Sequence, residues 1–205
     1  MAEVHDNLIV AHPSPPESGS PYTPTLASRF GQMLEMAEQR FGPRDKSYTI
    51  LGFEFRAGLP QIWFPGGKKR VIVQLDSSNM NDPNLPLFQL AHQSVHLLTP
   101  VLPADASVLE EGLATYFSKE YMAAYLGGVW LTGDQKYDRA EVLARKVLLF
   151  NAGAIKALRK LVSVISEATV QNILKVCPSL SPQLAEQLVV TFQSWDGKIW
   201  GSGTV

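Results

Sequence analysis

The chain has 205 residues, 45% of them hydrophobic and 18% charged, which suits one globular domain with a substantial core. Eighteen basic residues against nineteen acidic leave a formal charge of −1, so there is no bulk electrostatic case for nucleic acid or an anionic membrane as partner. A single cysteine, Cys177, excludes an intrachain disulfide and a Cys-rich zinc module and reads as a buried, small apolar residue.

The first residues, Met1-Ala2-Glu3-Val4-His5-Asp6, lack the basic start and apolar run of a secretory signal, and no apolar stretch approaches bilayer length. Cytoplasmic residence is the expectation. Pro13, Pro15, Pro16, Pro21 and Pro24 forbid regular helix and predict a proline-rich arm over residues 1–24, in which His5 and His12 are solvated imidazoles. A single domain is expected over 25–205. Leu26, Phe30, Met33, Leu34, Ala37 and Phe41 recur at three and four, predicting a helix capped by Thr25 and stopped at Gly42-Pro43. Tyr48–Phe55, Gln61–Phe64 and Val71–Leu75 are rich in β-formers and predict three strands. The intervening Gly-Pro-rich segments read as turns, and Lys68-Lys69-Arg70 as solvated charges that discourage edge pairing.

The next stretch, Gln89-Leu90-Ala91-His92-Gln93-Ser94-Val95-His96-Leu97-Leu98, belongs to a helix expected from about Asn84 to just before Thr99, because Pro100 disfavours helix in the residue before it. Residues four apart share a helix face, so His92 and His96 can close on one metal ion. Leu85, Phe88 and Val95 lie on the same side. Spacing alone also fits two core histidines satisfied by backbone carbonyls. The segment Leu109-Glu110-Glu111-Gly112-Leu113-Ala114-Thr115-Tyr116, with fourteen residues between His96 and Glu111, opens another helix. A carboxylate from it would complete a three-ligand set with an open position. The stripe Leu109, Leu113, Phe117, Tyr121 and Ala124 is centred nearer Glu110 than Glu111.

Beyond Gly127-Gly128 the chain reads as helical. Asp138-Arg139-Ala140-Glu141 is a capping-box variant opening one helix, with Leu143, Val147 and Phe150 inward. Gly153 separates it from Ile155–Ile165, Thr169–Val176 forms another, and Ser181-Pro182 opens a last one running to about Phe192. Trp195–Val205 is glycine-punctuated and irregular.

Residues 71–118 resemble the gluzincin branch of the zincin metallopeptidases, in which an H-E-x-x-H helix is followed by a helix bearing a glutamate ligand. Glu110-Glu111-Gly112-Leu113-Ala114 is similar to the Asn-Glu-Gly-Phe-Ala segment of neutral aminopeptidases and, more distantly, to Asn-Glu-Ala-Ile-Ser of thermolysin. The resemblance implies one Zn2+ held by His92, His96 and Glu111, with Glu110 the alternative that periodicity favours. It implies an α+β, zincin-like fold, with a small twisted sheet and the metal helix in an upper lobe (25–99) and an all-helical lower lobe (100–205). A cleft between the lobes would take a peptide or protein. Val71, Ile72, Val73, Gln74 and Leu75 fall where the family's rim strand pairs with extended substrate. Thr115 falls where thermolysin-like proteins have a carboxylate bonded to a ligand histidine. Tyr116, Tyr121, Tyr125 and Tyr137 are candidates for a hydroxyl facing an oxyanion.

One position departs from the family. Gln93 stands where the family has the glutamate that takes a proton from the attacking water, and an amide cannot accept that proton at neutral pH. The expectation is a zinc-binding, metallopeptidase-like pseudoenzyme or attenuated hydrolase. The alternatives are a non-catalytic peptide- or protein-binding module on the same scaffold and a metal-free helical scaffold. Two histidines and one carboxylate also suit non-haem iron.

Overall fold

The computed structural model describes residues 25–199 apart from 68, 80, 81 and 83; the proline-rich arm and the last residues lie outside that range. The described chain is α+β, with seven α-helices and one three-stranded sheet. A continuous apolar core runs through it from Leu26 to Trp195.

Helix α1 (Leu26–Phe41) begins where the sequence predicts, because Thr25 and Ser28 exchange side-chain and backbone hydrogen bonds as a capping box. Its buried residues Leu26, Phe30, Met33, Ala37 and Phe41 repeat at three and four, and the helix packs on α2 (Leu85–His96). Phe30 meets Phe53 edge-on at 6.0 Å between ring centroids, in the geometry that suits the ring quadrupole.

Strands β1 (Thr49–Arg56), β2 (Gln61–Trp63) and β3 (Arg70–Asp76) lie in the order β1-β3-β2. Strand β3 is parallel to β1 and antiparallel to β2. Val71, Val73 and Leu75 are completely buried, while Gln74, on the opposite face, accepts from Arg56 and Gln61 and donates to Glu54. This order corrects the expectation that Val71, Ile72, Val73, Gln74 and Leu75 form a substrate-pairing edge. Both sides of β3 are already hydrogen-bonded to neighbouring strands, which leaves no free row of N–H and C=O groups for a further one. The apolar β3 sequence suits the sheet centre, and the edges belong to β1 and β2.

Ser107 caps α3 (Val108–Leu126) by accepting from the Glu110 N–H, and the Val190 carbonyl takes the Val108 N–H at 2.9 Å. The chain after α7 (Pro182–Val189) therefore straps across the start of α3, through a Ser107–Thr191 bridge and a Phe192 N–H to Ala106 carbonyl bond. That strap is why α7 stops before the predicted Phe192. Helix α4 (Gln135–Phe150) starts at Asp134, whose side chain accepts from the Lys136 N–H, rather than at the predicted Asp138. Asp138 instead meets Lys119 of α3 at 2.8 Å and bonds Thr132. Helix α5 (Ala154–Leu161) is shorter than predicted, with Ile165 in a separate 3-10 turn, and α6 (Val170–Val176) carries the expected Thr169 cap. No described helix is long and apolar enough to cross a membrane.

The α3–α4 contact is the closest helix approach that a missing side chain permits. A Cβ on Gly112 would lie 2.2 Å from the Ala140 carbonyl oxygen and 2.8 Å from the Ala144 Cβ. Gly112→Ala must push the two helices apart, and overpacking of this kind costs about 1–3 kcal/mol or more. Chemical denaturation is expected to show a destabilisation at or above that range.

Candidate metal centre

Helix α2 presents His92 and His96 one turn apart, and their Nε2 atoms stand 3.2 Å from each other. The first turn of α3 brings Glu111 Oε2 to 3.1 Å from His92 Nε2 and 3.6 Å from His96 Nε2. Three donor atoms on two helices thus converge, as a group able to hold a metal ion. Donors arranged tetrahedrally at about 2.0–2.1 Å from an ion are about 3.3 Å apart. The observed separations bracket that spacing, so the residues present fit a divalent ion without rearrangement.

The neighbouring carboxylate does something else. Glu110 Oε1 lies 2.8 Å from His96 Nδ1, the ring nitrogen that faces away from the donor triangle. Its other oxygen accepts the Ser166 hydroxyl, and Ser166 in turn accepts the Ser107 backbone N–H at 2.7 Å. Glu110 therefore holds the imidazole's orientation and tautomer rather than joining the ligand set, as outer carboxylates around metal-bound histidine do. The apolar stripe points to the more buried carboxylate, and the convergent oxygen comes from its neighbour. Glu110 is the more buried, at 2% exposure against 8% for Glu111, yet Glu111 supplies the convergent oxygen.

Thr115 does not take the supporting role the resemblance implies. Its Oγ1 is buried with no hydrogen-bond partner among the described residues, because Glu110 already occupies the back of His96. Gln93 is 5% exposed, beside the ligands on the same helix. Of the four candidate tyrosines, Tyr116 is engaged by Arg40, Tyr121 by Arg29 and Gln32, and Tyr125 by Gln32. Only Tyr137 touches the site, with its ring edge-on to His92 at 5.8 Å between centroids. Sequence reasoning ranked Tyr137 no higher than the others and missed Ser166, since both arrive from elements distant in the chain.

Electrostatics divide the cluster. Burial pulls His92 below the ordinary histidine range, only partly offset by its bond to Glu111, so it is neutral at pH 7. Burial also opposes charge on His96, but the Glu111 charge and the bond to Glu110 outweigh it and raise its pKa to about 10. The Glu111 carboxyl is held well below its usual range despite its own burial, through the His96 charge and the bonds from both imidazoles. Burial first, then the Glu111 and Asp134 charges, push the Tyr137 phenol up, keeping it a hydrogen-bond donor at neutral pH.

The chain matches no family model, no curated protein and no solved structure.

At pH 7 the net proton that an ion must displace belongs to His96, because neutral His92 can carry its one proton on the other ring nitrogen. That proton stabilises the folded, metal-free state fully below pH 6.5, and the contribution is lost as pH rises through about 10. Metal uptake is therefore expected to release about one proton and to tighten with pH across neutrality. Calorimetric titration of zinc in buffers of different ionisation enthalpy measures that number directly. In chelator competition, Glu110→Gln is expected to weaken metal binding by about 10- to 100-fold, and Glu111→Gln to weaken it further because a neutral amide oxygen replaces the anionic donor.

Proposed function

We propose that this protein is a zinc-binding relative of the gluzincin metallopeptidases whose hydrolytic step is attenuated by glutamine at the position of the general base. The observation that carries this reading is the convergence of His92 Nε2, His96 Nε2 and Glu111 Oε2, with sides of 3.1, 3.2 and 3.6 Å. Two imidazoles and one carboxylate on successive helices are a donor set that zinc accepts, and a small sheet packed against the first of those helices is what a zincin-like fold requires. Zinc bound there would lower the pKa of water to about 7 and polarise a substrate carbonyl.

The chain's own residues supply the rest. His92, His96 and Glu111 would hold the ion, and Glu110 fixes the His96 ring so that Nε2 faces the other two donor atoms. Gln93 can hydrogen-bond a water or a substrate group but cannot remove its proton. Tyr137, kept protonated and beside His92, can donate to a developing oxyanion. A peptide or protein is the expected occupant, and the free edge of β2 rather than β3 is where an extended segment would add. The neutral, buried Gln93 favours a second reading, in which the site holds a peptide or protein without cleaving it.

Gln93→Glu separates the two because the substitution keeps the side chain's shape and replaces the neutral amide with a carboxylate that can accept a proton. With zinc content matched between the two proteins, assay on a peptide library is expected to show hydrolysis in the Glu variant, about 10²–10⁴ above the native chain. Full zinc loading with no cleavage by either protein supports the binding module.

A further inference from the structure

Helix α5 devotes three of its eight positions to cations: Lys156, Arg159 and Lys160. Residues spaced i, i+3 and i+4 share one face, and like charges at i, i+4 destabilise a helix. All three line a cavity of about 760 Å³. It lies between the C-terminus of α1, the loop that follows, and Thr99-Pro100 beyond the end of α2. It shares no residue with the metal-ligand set, and its size is that of a small-molecule site.

The charges there are unevenly matched. Glu38 is paired with Arg44 at 3.4 Å, and Asp45 with Lys69 at 3.7 Å. Arg159 donates to the carbonyls of Phe41, Gly42 and Leu98 at 3.3, 2.7 and 3.3 Å, and so builds the floor by tying the ends of α1 and α2 to α5. Lys156 and Lys160 are exposed and have no carboxylate partner among the described residues. Two unpaired ammonium groups one turn apart, at the rim of a concave surface, form a field that a dianion relieves. Pro43, Tyr48, Pro100 and Val164 supply apolar wall on the same cavity.

We propose that this cavity binds a small organic phosphate, with the phosphate on Lys156 and Lys160 and the organic body against Tyr48 and Pro100. Compact ammonium groups act on phosphate as point charges, without the planar fork that carboxylates match. The apolar wall adds the part of the affinity that a free inorganic anion does not gain.

The test uses the dialysed, metal-free full chain, titrated calorimetrically with phenyl phosphate and with inorganic phosphate. Three proteins are compared: native, Lys156→Ala/Lys160→Ala, and Lys175→Ala, which removes an exposed lysine from α6. Phenyl phosphate is expected to bind the native chain about tenfold tighter than inorganic phosphate. The double substitution is expected to weaken phenyl phosphate by about tenfold or more, and Lys175→Ala to change nothing. Because both lysines are exposed and repel each other, the double variant is expected to melt no lower than native, which shows that it is folded. The proposal is overturned by absence of binding up to on the order of 10 mM, by equal affinity for the two probes, or by equal loss in the Lys175 control.

Discussion

Two imidazole nitrogens 3.2 Å apart in a protein interior repel through their lone pairs unless a proton or a cation lies between them. That requirement organises the centre of this molecule. It is met by the proton His96 carries, which α3 stabilises because its first turn reaches α2 closely enough to place Glu111 against both rings. The reach depends on three local devices. Ser107 and the Val190 carbonyl satisfy the first donors of α3, Glu110 locks the back of His96, and Gly112 lets α4 lie against α3 without a Cβ between them. Lys119 then bridges to Asp138 at 2.8 Å and to Glu141 at 3.5 Å, so the helix that carries Tyr137 is fixed relative to the one that carries Glu111.

Much of this was legible in the chain because it is written locally. The α1 period, the Thr25, Thr169 and Ser181 caps and the His92/His96 spacing are each decided by residues within a turn or two of one another, and the structure follows them. The adjacent pair Glu110-Glu111 shows where local reading divides. Periodicity measures burial, and it correctly names Glu110 as the inward residue. A ligand needs direction as well as burial, and direction is set by which neighbouring helix the side chain faces.

What failed to show is what depends on distant partners. Val71–Leu75 follows β2 in the chain and looks like a last strand, but strand order in a sheet is not sequence order. Parallel pairing with β1 moved it to the centre. Ser166 reaches Glu110 from a 3-10 turn 56 residues away, and Thr191 and Phe192 leave their predicted helix to strap the start of α3. The Asp138 capping motif yielded to Asp134, because Asp138 gains a cross-helix ion pair with Lys119 that a cap would forgo.

Charge balance gives Gln93 a physical meaning of its own. Glu110 and Glu111 bring two negative charges to the histidine pair, and a divalent cation would balance them. A third carboxylate at position 93, on the same buried turn of α2, would leave the loaded site net negative and would have to be stabilised by the ion itself. That excess is what makes a general base useful, since it is ready to take up a proton, and it is also what desolvation penalises. With glutamine the loaded site is neutral, and nothing in its electrostatics favours moving a proton. Glutamine at position 93 therefore suits the charge balance of the site as a place that could keep an ion and hold what the ion contacts.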